Sequence, residues 1–397
     1  MTVTAPIDPS SGVRHVRAAV IGTGFVGPFH VDAIRRGGYA DVVAIAGSDR
    51  SRAEARAVSL GVERGALAAD VLGDDGIDVV HICTPNRTHV ELATAALESG
   101  KHVVVEKPVG LTVREARPLV DLADRVGRHV AVAYTYRGYP MVRRARDLVA
   151  AGELGDVRLV HGGYIQDWLA DPASYNWRLE PETSGASRAI ADIGSHWFDT
   201  AEFVSGLRVD SVLADMATFI PVRSRARDGN VAFATGNGER EDVAVRSEDA
   251  ATILLRFAGG ARGACVVSQI SPGLKNAFTL QFAGARRTLD WNQEDSEHLW
   301  LRDRDESRLL TRGPADVTDD AAGVPSLPAG HPEGWAEALR DLLRPFYRAV
   351  VSDAPPAAAR DAKAYPSLSD GIRGLAFVEA CIRSAASGTW AAIDSVT

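Results

Sequence analysis

A glycine triplet near the start of the chain constrains its fold more than any other feature. Gly22-Thr23-Gly24-Phe25-Val26-Gly27 follows directly on the apolar run Val16 to Ile21 and opens a helical pattern from Pro28 to Arg36. In a GxGxxG turn the first glycine makes the bend, and the second lets the backbone approach a pyrophosphate. The third lets the helix pack close to the strand, and the helix N-terminus then faces the anionic phosphates. The pattern alone is weak, because 37 of the 397 residues are glycine. Its place between a strand and a helix is what makes it a dinucleotide signature.

The rest of the first third repeats that alternation. Asp41 to Ala46, Asp78 to Cys83, His102 to Val105 and Val130 to Tyr134 are short apolar runs. Helical patterns separate them at Arg52 to Leu60, Val90 to Glu98 and Thr112 to Val126. Near-continuous apolar strands alternating with helices predict buried parallel strands joined by right-handed crossovers. The expectation is a doubly wound α/β domain over residues 16–137, preceded by a disordered tail over 1–15.

After Pro140 the pattern changes. One helix, Pro140 to Ala151, leads into runs with period two at Val157 to Tyr164 and Ser211 to Ile220. Ala251 to Phe257 with Gly263 to Ile270 reads as a hairpin, as does Ala277 to Phe282 with Arg287 to Trp291. The polar, glycine-rich stretch Arg223 to Ser247 reads as a long excursion at the sheet edge, and Gly334 to Val351 and Ser369 to Ser387 read as helices. Residues 138–397 are therefore expected to form a second α/β domain around a large, open, mainly antiparallel sheet.

Composition narrows the function classes. A net charge of −8 gives no basic footprint for nucleic acid or acidic lipid. No apolar run approaches the ~20 residues that span a bilayer. Cys83, Cys265 and Cys381 lie far apart in apolar contexts without a CxxC pair, so they are expected to be reduced core residues. With no apolar leader after Met1, these features predict a soluble cytoplasmic protein whose partner is a small molecule.

About 20 residues beyond a glycine turn of this kind, an acid grips the adenosine ribose 2′-hydroxyl. This chain places Gly47 and Ser48 there, followed by Asp49, Arg50 and Arg52. A serine hydroxyl and guanidinium donors accept a 2′-phosphate, which leans towards NADP over NAD. Asp49 turned back to a ribose would favour NAD, and the arginines have a second reading as a solvated helix start.

Three further segments carry chemistry: Thr84-Pro85-Asn86 with His89, Glu106-Lys107-Pro108, and Asp192-Ile193-Gly194-Ser195-His196. Lys107 ends a parallel strand, where ligands bind, and a lysine there can hydrogen-bond a reacting hydroxyl. The proline after it disfavours helical geometry at Lys107 and admits a cis bond. Asp192 and His196, four apart, share one face if helical, which suits an imidazole that takes a hydroxyl proton beside an ordering carboxylate. Two other readings stay open for the pair. One is metal ligation, although no second histidine or cysteine stands close by. The other is a helix capped by Asp192 with His196 in the core.

In this order the segments resemble the Gfo/Idh/MocA family of glucose–fructose oxidoreductases and inositol dehydrogenases, from Val16 to about Trp390. Tyr164-Ile165-Gln166-Asp167-Trp168, followed by Trp177-Arg178, is similar to its sugar-dehydrogenase branch. The resemblance implies a Rossmann NAD(P)-binding domain and an open-sheet domain that commonly makes dimer or tetramer contacts. It implies hydride transfer between the nicotinamide and a secondary hydroxyl of a sugar, inositol or glycoside, with Lys107, His196 and Asp192 as catalytic residues. Gly22, Gly24, Phe25, Val26, Ser48, Arg50, Thr84, Pro85, Asn86, His89, Glu106 and Lys107 would face the dinucleotide.

Tyr136, Arg137, Gln166, Trp168, Trp177 and Arg178 would line a polyol pocket with Asp192 and His196. Aromatic faces stack on sugar C–H faces, while amide and guanidinium groups read hydroxyls. Thr135 stands where the family often carries asparagine, and His331 is a further candidate from the C-terminal segment. One alternative is a redox-neutral glycoside- or sugar-processing enzyme that reoxidises a tightly held NAD(H) within each cycle. Another is a non-catalytic dinucleotide-binding regulator, which would have no need of Lys107, Asp192 and His196 together.

Overall fold

The computed structural model describes residues 16–226, 239–313, 327–361 and 363–393. The expected N-terminal tail and the middle of the Arg223 to Ser247 excursion lie outside them. The chain divides into two compact units, Met1–Tyr139 with Gly313–Ile372 and Pro140–Arg312 with Arg373–Thr397.

The first unit is built on β1 (Val16–Ile21), β2 (Ala40–Gly47), β3 (Arg64–Leu67), β4 (Val79–Ile82), β5 (His102–Val105) and β6 (Val130–Val132). Their order is β3-β2-β1-β4-β5-β6, and every pairing is parallel. Strand order reverses between β1 and β4, which makes the carboxyl ends of these strands the place for a ligand. Val79, Val80, Ile82 and Val103 to Val105 are wholly buried, as strands covered on both faces must be. The strand β3 escapes the sequence reading because Arg64-Gly65-Ala66-Leu67 has almost no apolar signal. The single helix expected over Thr112 to Val126 is two, Val113–Ala116 and Pro118–Val126, because Pro118 has no N–H to continue the first.

The described residues within 313–372 fold with this unit, although the sequence reading assigns them to the second. The cause is the amphipathic helix Trp335–Val351. Its Leu339, Leu342, Leu343, Phe346 and Tyr347 join Val20, Val31, Ile34 and Ile45 in one core cluster.

The second unit contains β7 (Val157–Ile165), β8 (Val209–Ala217), β9 (Val222–Ala226), β10 (Arg240–Ala244), β11 (Ala250–Phe257) and β12 (Arg262–Ser268). It continues with β13 (Ala277–Gly284), β14 (Thr288–Asn292), β15 (His298–Arg302), β16 (Ser307–Thr311) and β17 (Ala391–Ala392). Nine of these form one sheet in the order β16-β15-β14-β13-β7-β12-β11-β8-β17, in which β7 and β12 alone pair in parallel. Both expected hairpins are present, β11 with β12 and β13 with β14. The excursion is corrected: β9 and β10 pair as a separate two-stranded ribbon, from Ala226 opposite Arg240 to Val222 opposite Ala244. Its charged strands conceal the period-two signal.

Candidate active site

The glycine turn is constrained by contact. A Cβ on Gly22, where φ is +138°, would lie 2.4 Å from the Cys83 carbonyl oxygen, and one on Gly27 only 2.0 Å from that of Gly22. Gly24 is the opposite case, with nothing among the described residues within 4 Å of its Cβ position. That open cradle lets a phosphate come against the backbone. Helix Gly27–Gly37 begins at Val26 with no side-chain cap and no acidic residue in its first turn. Its first N–H groups and its dipole therefore suit an anion. Phe25 is 56 % exposed beside this turn, edge-on to Phe29. The residues present fit a dinucleotide.

At the end of β2, Ser48 is exposed. Asp49 caps helix Arg50–Leu60, accepting from the Arg52 N–H at 2.8 Å and the Ser51 hydroxyl at 2.7 Å. The Arg52 N–H first, and then the Ser51 hydroxyl, hold its carboxyl below the usual range. Arg50 reaches Asp70 at 2.6 Å. Arg56, which the sequence reading missed, donates from Nε to the Thr23 carbonyl at 3.1 Å, inside the glycine turn.

Beyond β4 and β5 two loops are stapled together by His89. Its Nδ1 lies 2.7 Å from the Pro108 carbonyl and its Nε2 2.7 Å from that of Thr84. Burial pulls this imidazole below its ordinary value against both contacts. His89 thus fixes the Thr84-Pro85-Asn86 loop, whose Asn86 is buried, to the segment after Lys107. The Lys107–Pro108 bond is cis. Glu106 accepts from His30 Nε2 at 2.9 Å. Burial pushes the Glu106 carboxyl up, but the His30 hydrogen bond and the nearby Lys107 charge bring it below its ordinary value.

Tyr136 and Arg137 are buried in the same unit. Tyr136 stacks on Tyr139 at 5.7 Å, and Arg137 pairs with Asp370 at 3.0 Å. His331 is exposed, with Nδ1 3.3 Å from the Pro328 carbonyl.

In the second unit Asp192 sits in a π-helical turn, Ile190–Gly194, which runs into helix Ser195–Ser205 carrying His196. The sequence reading expects ordinary helical spacing; the wider turn is a feature often found at functional sites. Asp192 does not act as a cap. Its Oδ1 accepts from Arg178 Nε at 3.2 Å and its Oδ2 from Gln269 Nε2 at 2.8 Å. Gln269 is wholly buried and, among the described residues, its Oε1 meets no donor. Because a carboxylate only accepts, the amide nitrogen must face Asp192.

His196 is buried, 6.4 Å from the Tyr164 ring centre. The Tyr164 hydroxyl and Gln166 Nε2 both donate to Asn276 Oδ1, at 2.7 and 2.8 Å. Gln166 Oε1 accepts from Trp168 Nε1 at 3.1 Å, and the Arg178 guanidinium lies 4.5 Å over the Trp177 ring. Gln166, Trp168, Trp177, Arg178, Asp192 and His196 therefore belong to the second unit, whereas Tyr136 and Arg137 belong to the first. Gln269 and Asn276 carry no motif that sequence reasoning could have found.

Residues 16–134 match a family model described as the oxidoreductase family with an NAD-binding Rossmann fold. Residues 142–290 match the GFO/IDH/MocA C-terminal domain. Levoglucosan dehydrogenase of Pseudarthrobacter phenanthrenivorans is 30% identical over 338 residues, 82% of this chain and 83% of that protein. A solved levoglucosan dehydrogenase in complex with NADH and L-sorbose gives a TM-score of 0.84 at 27% identity, over 96% of this chain and 100% of that one. An inositol dehydrogenase homologue from Azotobacter vinelandii, with NADH and myo-inositol, gives 0.78 at 28% identity, over 96% and 98%. Among the described residues no helix is long and apolar enough to cross a membrane.

Proposed function

Because the chain belongs to the Gfo/Idh/MocA oxidoreductase family, we propose that it oxidises a secondary hydroxyl of a pyranose such as levoglucosan. The near full-length similarity to levoglucosan dehydrogenase carries this reading. A bound nicotinamide dinucleotide supplies the hydride acceptor. The cradle at Gly24 and the uncapped start of helix Gly27–Gly37 would hold its pyrophosphate. Lys107 hydrogen-bonds the reacting oxygen and favours the negative charge that develops as the hydride leaves carbon. His196 takes the hydroxyl proton, so the C–O bond becomes a carbonyl with protons and electrons in balance. Asp192, fixed by Arg178 and Gln269, orients the imidazole or a sugar hydroxyl.

NADP is the preferred dinucleotide in this reading. With Asp49 capping its own helix, a 2′-phosphate at Ser48 meets hydroxyl and guanidinium donors, Arg56 among them, even with Arg50 engaged by Asp70. One experiment tests both parts: levoglucosan and myo-inositol are offered with NAD or NADP, and reduced nicotinamide is followed by absorbance. Levoglucosan turnover with tighter NADP binding is expected. Tighter NAD binding overturns the cofactor preference, and silence with levoglucosan overturns the substrate. A dinucleotide that survives dialysis without net reduction would point to the redox-neutral cycle.

The reading also includes a homo-oligomer. Leu159, Leu254 and Val266 are 40%, 44% and 40% exposed on β7, β11 and β12. The registers put Leu159 opposite Arg262 and Leu254 opposite Ala264, so all three share one sheet face. Exposed Arg256, Arg262 and Thr252 stand among them on the same face, and symmetric self-association is the commonest way for such an open sheet face to be covered. Light scattering is expected to give a dimer or tetramer that Leu254→Glu with Val266→Glu weakens. A monodisperse wild-type monomer would reject it.

A further inference from the structure

Four side chains form a chain of hydrogen bonds through the core of the first unit, and the chemistry above leaves three of them unused. Glu106 Oε1 lies 2.9 Å from His30 Nε2, His30 Nδ1 lies 2.8 Å from His81 Nδ1, and His81 Nε2 lies 2.7 Å from the Tyr347 hydroxyl. Both histidines are wholly inaccessible, and Tyr347 is 2% exposed. The four come from different elements: helix Gly27–Gly37, β4, the end of β5 and helix Trp335–Val351. A histidine inside a buried valine–isoleucine strand is unfavourable unless its nitrogens are satisfied.

The donor inventory gives the chain a direction. An ionised carboxylate only accepts, so His30 gives its Nε2 proton to Glu106. In the arrangement with a single proton on His30, at Nε2, its Nδ1 offers a lone pair and His81 donates from its own Nδ1. His81 accepts at Nε2, and Tyr347 donates. Every proton points towards Glu106. Burial pushes the His81 imidazole well below its ordinary value and the Tyr347 phenol well above its own. Both groups are therefore in the neutral forms that this direction requires.

We propose that His30, His81 and Tyr347 are positioning residues whose one-way relay holds Glu106 as an oriented carboxylate next to Lys107. Aligned hydrogen bonds polarise one another, and the sum favours negative charge at the Glu106 end. The titratable groups that face Glu106 are His30, Lys107, His89 and the Cys83 thiol, which burial first and Glu106 second push up. The consequence of the relay for Lys107 rests on the function proposed above, whereas the relay itself does not.

The test reads the relay without substrate. In full-length protein labelled with nitrogen-15 histidine and carboxyl-carbon-13 glutamate, His30 is expected as the Nε2–H tautomer and His81 as the Nδ1–H tautomer. Glu106→Gln identifies the Glu106 carboxyl signal. Tyr347→Phe removes the last donor but keeps the ring, and should raise the Glu106 titration midpoint by about half a unit to one unit. His81→Leu should raise it at least as far. The opposite tautomers in the wild type overturn the relay, as does a Glu106 midpoint that neither variant moves. With levoglucosan and NADP, the acid limb of kcat should move upwards in Tyr347→Phe with the midpoint. A wild type inert towards levoglucosan removes the substrate assignment and leaves the spectroscopic test of the relay intact.

Discussion

Lys107→Ala is expected to lower the rate of hydride transfer by about 10²–10⁴-fold and leave dinucleotide affinity within about threefold of wild type. Lys107 lies directly beyond β5, at the carboxyl end of a parallel strand, where this fold places its ligands. Its ammonium is a compact donor suited to an oxygen that gains negative charge. The dinucleotide is held elsewhere, by the open backbone at Gly24 and the uncapped start of helix Gly27–Gly37. The two measurements therefore separate the roles. Rapid-mix single-turnover kinetics should show the loss in the chemical step, and calorimetric titration should show binding retained. Lys107→Arg should not restore the rate, because a planar guanidinium cannot take the position of an ammonium point charge. Wild-type turnover in Lys107→Ala would remove the assignment.

The motifs were legible because their chemistry is local. The glycine turn needs only a strand, three glycines and a helix in sequence, and all three are within residues 16–37. The second-unit hairpins were legible because period-two burial and glycine turns are also local. What depends on distant pairing was not. The helix Trp335–Val351 announces an apolar face, but nothing in its residues says that the face packs with Val31 and Ile34, roughly 300 positions earlier. Arg137 shows its charge but not Asp370, and Asp192 shows its carboxylate but not Gln269. His81 was the overlooked signal. An imidazole in the middle of Val79–Ile82 demands buried partners, and His30 and Tyr347 are those partners.

Asp249→Ala is expected to destabilise the second unit by about 3–5 kcal/mol, the cost of breaking a buried ion pair by removing one partner. Asp249 is wholly buried, as are Arg188 and Arg223. Its Oδ1 accepts from Arg188 and, at 3.0 Å, from Arg223. Its Oδ2 accepts from the backbone N–H groups of Phe219 and Ile220 at 2.7 and 2.8 Å. Alanine leaves two guanidinium groups without their counter-charge and two amides without an acceptor, far from water. Asp249→Asn keeps the shape but donates where it should accept, so an intermediate loss is expected. The acid dependence has a definite sign. Burial raises the Asp249 carboxyl, but the Ile220 N–H and Arg188 outweigh it and hold the group below its ordinary value. A depressed folded value means stability that is present above the unfolded value of about 3.9 and is lost as pH falls through the folded one. Denaturant unfolding at neutral pH should therefore show the full difference between wild type and Asp249→Ala. As pH falls through that depressed folded value the two curves should converge, because the wild-type carboxylate is then protonated as well. A neutral-pH difference under about 1 kcal/mol would mean that the two arginines find other acceptors, and the buried pair would not be what holds β9 and the start of β11 together.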